Sequence, residues 1–256
     1  MNVISKRPKV GALLGLVLAA TAALTGCGGG AEPAPNAGTN AGPDSGTNAD
    51  TSATLSAAAQ LGALIFHDPA LSASGRQACA SCHAADRGHG PPNALAAQLG
   101  GAGMDLHGSR SAPAIRYLSS NHSFRFEADG TPTGGFFWDG RASSLQAQAG
   151  EPFLNPVEMA NTSVAEVIQR LATASYADQF KQRYGQDIFS RPADAFARLT
   201  LALQQYQLED IDFRPFSSKY DAFLRGQAAL SQAEQRGLAL FNAPGKGNCA
   251  ACHPST

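Results

Sequence analysis

The sequence is short of charge. Lys and Arg number 19 and Asp and Glu 20 in 256 residues, and the formal net charge is −1, so nothing points to a nucleic-acid partner. Aromatic residues are sparse, with a single tryptophan, Trp138, and beyond Met1 the only methionines are Met104 and Met159. Strand-like alternation of apolar and polar residues is scarce, which argues against a sheet-based fold. No apolar run is long enough to cross a bilayer; the longest, 10–24, follows Lys6, Arg7 and Lys9 and has the length and flanks of a secretory signal rather than a spanning helix. Cysteine is limited to five residues, and four of them fall into two copies of one motif.

The fifth, Cys27, ends the stretch Leu24-Thr25-Gly26-Cys27, which resembles a bacterial lipobox whose cysteine is lipidated. The expectation is a lipoprotein signal over 1–26 and a membrane contact made only through lipid on Cys27; a plain signal peptide with an incidental cysteine is the alternative. Gly28 rather than aspartate after Cys27 favours an outer-membrane anchor facing the periplasm. Residues 27–54 are Gly, Ala, Pro, Asn, Thr and Asp almost throughout, too poor in apolar surface to fold, and read as a flexible tether.

The repeated motif is Cys79-Ala-Ser-Cys82-His83, returning as Cys249-Ala-Ala-Cys252-His253. Two cysteines at this spacing with a histidine directly after the second form the attachment signature of c-type haem. On one helical turn each thiol can form a thioether with a haem vinyl group while the histidine ligates the iron. Two covalent haems are therefore expected, with His83 and His253 as proximal ligands. A zinc site built from both cysteine pairs and a thioredoxin-like dithiol are the competing readings.

Outside the motifs the periodicity is helical. Helices are expected over 55–66, over 163–172 behind a Ser163-Val-Ala-Glu166 capping box, over 194–208 after Pro192, and over 231–241 behind Ser231-Gln-Ala-Glu234. The fold class is all-α, with two cytochrome c-like haem domains: 55–222, and the start of a second over 223–256. The long Gly-, Pro- and Ser-rich segment 88–140 must wrap the first haem.

A run of further residues resembles the bacterial di-haem cytochrome c peroxidase and MauG family: Leu61-Gly-Ala-Leu-Ile-Phe-His-Asp68-Pro69, Ser111-Ala-Pro113, and above all Phe137-Trp138-Asp139-Gly140-Arg141 through Gln148, Pro152, Asn155 and Glu158-Met159. The resemblance implies a peroxidatic first haem and an electron-relaying second haem. It matches Glu158 and Gln148 to catalytic residues and Trp138 to the residue between the haems. The same roles make chemical sense unaided: cleaving a peroxide O–O bond needs a base that moves a proton from one oxygen to the other, and a buried carboxylate can serve. Arg141 could neutralise a haem propionate or form a surface ion pair.

The resemblance also implies hydrogen peroxide as substrate, a small cytochrome c or cupredoxin as electron donor, a homodimer and an inter-domain calcium whose asparagine is matched here by Ser111. The distal histidine that many members carry falls near Gly103; His107 and His89 lie close by but read first as loop histidines, and His67 and His122 have no role. The chain stops at Thr256, where the family continues into the domain supplying the second haem's other ligand, so it reads as a truncated member. Three functions follow: a peroxidase, a MauG-like oxidase of a partner protein or organic substrate, or a non-catalytic electron carrier.

Overall fold

The computed structural model describes residues 54–253; the expected signal, the lipidation site Cys27 and nearly all of the tether lie outside the described residues. Among them, eight α-helices dominate: α1 Ala57–Phe66, α2 Cys79–Cys82, α3 Leu145–Leu154, α4 Val164–Leu171, α5 Ala177–Tyr184, α6 Pro192–Glu209, α7 Lys219–Leu224 and α8 Gln232–Asn242. None is long and apolar enough to cross a membrane.

The core forms around α6, against which α1, α3 and α4 pack. Pro192 occupies the first turn of α6, where its missing N–H costs nothing. Leu199, Ala202 and Leu203 from that helix meet Leu61 and Ile65 of α1, Phe153 of α3 and Val167 and Leu171 of α4 in one buried cluster. Gly62 lets α1 and α6 approach closely, since a Cβ there would overlap the Ala202 carbonyl. Ser56 caps α1 by accepting from the Ala59 amide and donates to Glu209 at the end of α6.

Ser163 caps α4 as expected, but only half the capping box forms: the Glu166 carboxylate accepts from the Thr162 amide and hydroxyl instead of reaching the Ser163 amide. The Ser231–Glu234 box at α8 is complete. Neither α7 nor α8 buries a side chain.

Two short antiparallel ladders depart from the all-α expectation, β1 Leu99–Gly100 with β2 Leu106–His107, and β3 Arg125–Phe126 with β4 Pro132–Thr133. Both lie in the 88–140 segment, where glycines at positive φ, Gly101 and Gly130 among them, turn the chain tightly enough to pair with itself.

Candidate active site

The first motif sits on a single turn of helix. In α2 the thiols of Cys79 and Cys82 are three residues apart and half-buried, and the chain leaves the helix at His83, whose amide donates to the Cys79 carbonyl at 2.9 Å. Burial pushes the Cys79 thiol up to about 12 and raises Cys82, so both are protonated thiols rather than metal-ready thiolates. Among the described residues no group of three or more His, Cys, Asp or Glu could hold a metal ion, and the two cysteine pairs form no shared site.

His83 Nδ1 lies 3.0 Å from the His89 carbonyl. A carbonyl only accepts, so Nδ1 carries the proton and Nε2 keeps its lone pair. Burial lowers the pKa of His83, which keeps the ring neutral and ready to ligate.

These three residues line a cavity of about 290 Å³, near the lower end of the usual small-molecule range of about 300–1,000 Å³. Its walls come from the loops around Ser111–Ile115 and Gly135–Trp138, from α3, from the turn after α3 and from Leu203 and Gln207 of α6. Glu158, Gln148, Trp138 and Arg141 all lie on this wall. Residues separated by up to 79 positions in the chain are thus brought to one chamber with Cys79, Cys82 and His83.

Glu158 is held from several directions. Its amide donates to the Asn155 carbonyl at 3.0 Å and its Oε1 accepts from Asn155 Nδ2 at 2.9 Å. Its own carbonyl accepts from the Gly101 amide at 2.8 Å, an approach that Gly100 permits, because a Cβ there would overlap the Val157 carbonyl. Burial raises the Glu158 carboxyl above the ordinary carboxylate range, against the opposing influence of Arg141 and of the Asn155 hydrogen bond. Gln148 projects from α3, and Pro152, four residues on, has no N–H to give to the Gln148 carbonyl.

Trp138 is 65% exposed, which removes the reading of it as a core aromatic. It is nevertheless fixed, with Nε1 donating to the Ser111 carbonyl at 3.0 Å. Phe137 beside it adopts φ +66°, a conformation rarely taken by a residue with a side chain, and the Arg141 guanidinium stacks 3.6 Å from the Phe137 ring centroid. Arg141 pairs with Asp139 at 3.0 Å and Glu151 at 2.9 Å while remaining on the cavity wall.

His83 is the only histidine on the cavity wall. His89 is buried with its ring stacked on Phe213 at 4.0 Å, and His107 is exposed on β2 with Nδ1 3.4 Å from the Ala97 carbonyl. Neither lies on the cavity wall, and nor does Gly103.

Sequence reasoning missed three buried glutamines on the wall, Gln77, Gln98 and Gln207, each with an amide atom that lacks a partner: Oε1, Nε2 and Oε1 respectively. Nothing in their spacing marks them. Orphaned polar atoms are costly in a closed core, whereas around a planar group with polar edges they are groups waiting for a partner. Together with two thiols and a neutral imidazole on one turn, they fit a c-type haem. The second motif makes a 3₁₀ turn at Cys249–Ala251, with Cys249, Cys252 and His253 all exposed.

Comparison with known proteins agrees with this geometry. The family model for di-haem cytochrome c peroxidase matches residues 56–229. The methylamine utilization protein MauG of Paracoccus denitrificans is 40% identical over 202 residues, 77% of this chain and 51% of that protein. The cytochrome c peroxidase Ccp of Escherichia coli is 34% identical over 195 residues, 75% of this chain and 36% of that protein. The crystal structure of the di-haem peroxidase BthA from Burkholderia thailandensis superposes with a TM-score of 0.71 at 36% identity, covering 78% of this chain and 49% of that one. The chain spans about half the length or less of these relatives. From the haem-binding turn, the carboxylate and amide facing it, and the match over 56–229, the chain belongs to the di-haem cytochrome c peroxidase family.

Proposed function

We propose that this chain carries the peroxidatic site of a di-haem c peroxidase that reduces hydrogen peroxide to water with electrons from a small cytochrome or cupredoxin, in the periplasm and anchored through Cys27. The observation that carries the reading is the placement of Glu158 and Gln148 on the wall of the cavity that also holds Cys79, Cys82 and His83. The two thiols would bind haem covalently, His83 would ligate its iron through Nε2, and the bound haem supplies the metal at which the O–O bond breaks.

The chain's own residues do the rest. The His89 carbonyl holds the His83 Nδ1 proton and fixes the ring. Gln148 orients the peroxide. Glu158 takes the proton from one peroxide oxygen and returns it to the leaving oxygen, a task suited to a carboxyl raised toward working pH. Asn155 holds that carboxyl in place, and the Gly101 amide holds the Glu158 backbone carbonyl. Trp138, held at Ser111 and exposed along the cavity mouth, is the residue through which electrons enter.

A second reading, oxidation of a partner protein or organic substrate in the manner of MauG, is favoured by one feature, the lack of any histidine but His83 on the cavity wall. Turnover of hydrogen peroxide with a reduced small cytochrome tests the choice: rapid oxidation of the cytochrome supports the peroxidase, and a protein that reacts with peroxide but leaves the cytochrome reduced supports the second.

A further inference from the structure

His89 has a side chain that the peroxide chemistry does not use. It is only 2% exposed, and neither ring nitrogen has a hydrogen-bond partner among the described residues. Burying two unpartnered nitrogens is costly, and the contacts that hold the ring are aromatic instead. It stacks on Phe213 with centroids 4.0 Å and planes 18° apart, and it stands nearly perpendicular to Phe66 at 6.1 Å. Phe66 and Phe213 meet at 5.8 Å and both touch Tyr206 of α6, so the His89 ring is gripped by the buried cluster that joins α1 and α6. The His89 backbone takes φ +54°, a region that residues with side chains enter rarely, histidine more readily than most. In that conformation its carbonyl accepts from two donors, His83 Nδ1 at 3.0 Å and the Ile115 amide at 3.3 Å.

Resting on the haem-ligand role of His83 in the reading above, we infer that the His89 side chain is a positioning residue for the proximal imidazole: anchored against Phe213 and Phe66, it fixes where its own carbonyl meets His83 Nδ1. A strained backbone persists only where its surroundings over-determine it. The hydrogen bonds of residue 89 are made by main-chain atoms, and the ring is what ties it to the aromatic cluster. Phe213 is itself pinned, its carbonyl accepting from the Tyr117 amide at 2.7 Å. Without the ring, φ is free to leave +54° and the carbonyl to turn away from His83. A carbonyl that accepts from Nδ1 makes the imidazole a stronger donor through Nε2. A stronger axial donor favours ferric over ferrous iron and so lowers the reduction potential. The grip of Phe213 on a ring outside the cavity therefore bears on the iron. Neither ring nitrogen bonds anything, so a phenyl ring should do the same work, and the chain already holds Phe137 at φ +66°.

The test compares haem-loaded variants by potentiometric titration and by resonance Raman spectroscopy of the ferrous state, which reads the iron–histidine stretch. Only signals that differ between parent and variant are read, so a haem at His253 cancels. His89→Ala is expected to lower the stretching frequency, raise the midpoint potential and slow the peroxide reaction about tenfold or more, with haem content unchanged. His89→Phe, which keeps a ring to stack, is expected to show the parent value of all three. Phe213→Leu keeps an apolar side chain but no flat face and leaves residue 89 intact. It is expected to shift stretch and potential in the same directions as His89→Ala, and it decides the matter if His89→Ala does not fold. Parent stretch and potential in His89→Ala or in Phe213→Leu overturn the positioning role, as does a His89→Phe variant that behaves like His89→Ala. A haem that ignores peroxide while its stretch and potential still follow these substitutions upholds the positioning role and overturns the peroxidatic reading alone.

Discussion

At the scale of single residues the site depends on Glu158 having one foot in an apolar wall and the other on Asn155. Replacement by glutamine keeps the volume and an amide able to reach Asn155 but removes the transferable proton. Glu158→Gln should slow the peroxide reaction of the haem-loaded chain by about 10² to 10⁴, the usual worth of a positioned acid-base group, measured by stopped-flow absorbance; a variant reacting at the parent rate would remove Glu158 as the base. The same residue carries a pH signature. Its carboxyl titrates higher in the folded state than in the unfolded one, so the folded state holds the proton more tightly. Stability is then full below the unfolded carboxyl range, near about pH 4, and declines as pH rises through the raised folded value. Glutamine has no such loss. The melting temperature of the parent should therefore fall relative to Glu158→Gln as pH rises from about 4 through the raised folded value, and a constant difference over that rise would contradict the raised carboxyl.

At the scale of elements, close backbone contacts place the site. Gly62 allows α6 to lie against α1, and Gly62→Ala, which forces a Cβ onto the Ala202 carbonyl, should cost about 1–3 kcal/mol in denaturant unfolding. Gly100→Ala meets the Val157 carbonyl and the Glu158 backbone, so it should slow the peroxide reaction while leaving haem incorporation intact; equal loss of both would mean that the contact serves folding alone. Ser231→Ala removes the cap of α8, worth about 0.5–2 kcal/mol, and should raise amide exchange in that helix without altering the first cavity, since no α8 residue lines it.

Much of the element pattern was legible. Ser163 and Ser231 announced their helices because a hydroxyl three residues before a glutamate is a local signal, and Pro192 marked the start of α6 because its ring suits a first turn. The 3.6-residue periodicity likewise marked α1 and α6 as helices. Helix α3 was hidden by Pro152, a residue that normally signals a break but here falls in the last turns, where its missing bond frees the Gln148 carbonyl. The ladders β1–β2 and β3–β4 were too short to show alternation. The His89–Phe213 stack and the contact of Gly100 with Val157 join positions far apart in sequence, and no local rule reports such pairs.

At the scale of the whole molecule, the two haem motifs have different surroundings. The first lies in a walled cavity, while Cys249, Cys252 and His253 are exposed on a turn after a helix that buries no side chain. Among the described residues the walled cavity is thus at His83, where a carboxylate, an amide and a neutral imidazole are assembled by one helical core.

The most direct measurement is an optical and electron paramagnetic resonance spectrum of the haem-loaded chain before and after one equivalent of hydrogen peroxide. A high-spin ferric signal that peroxide consumes, and that is absent from His83→Ala but present and slow to react in Glu158→Gln, is expected for an open peroxidatic site at His83. Low-spin haem that ignores peroxide, in the parent and after partial reduction alike, would contradict it.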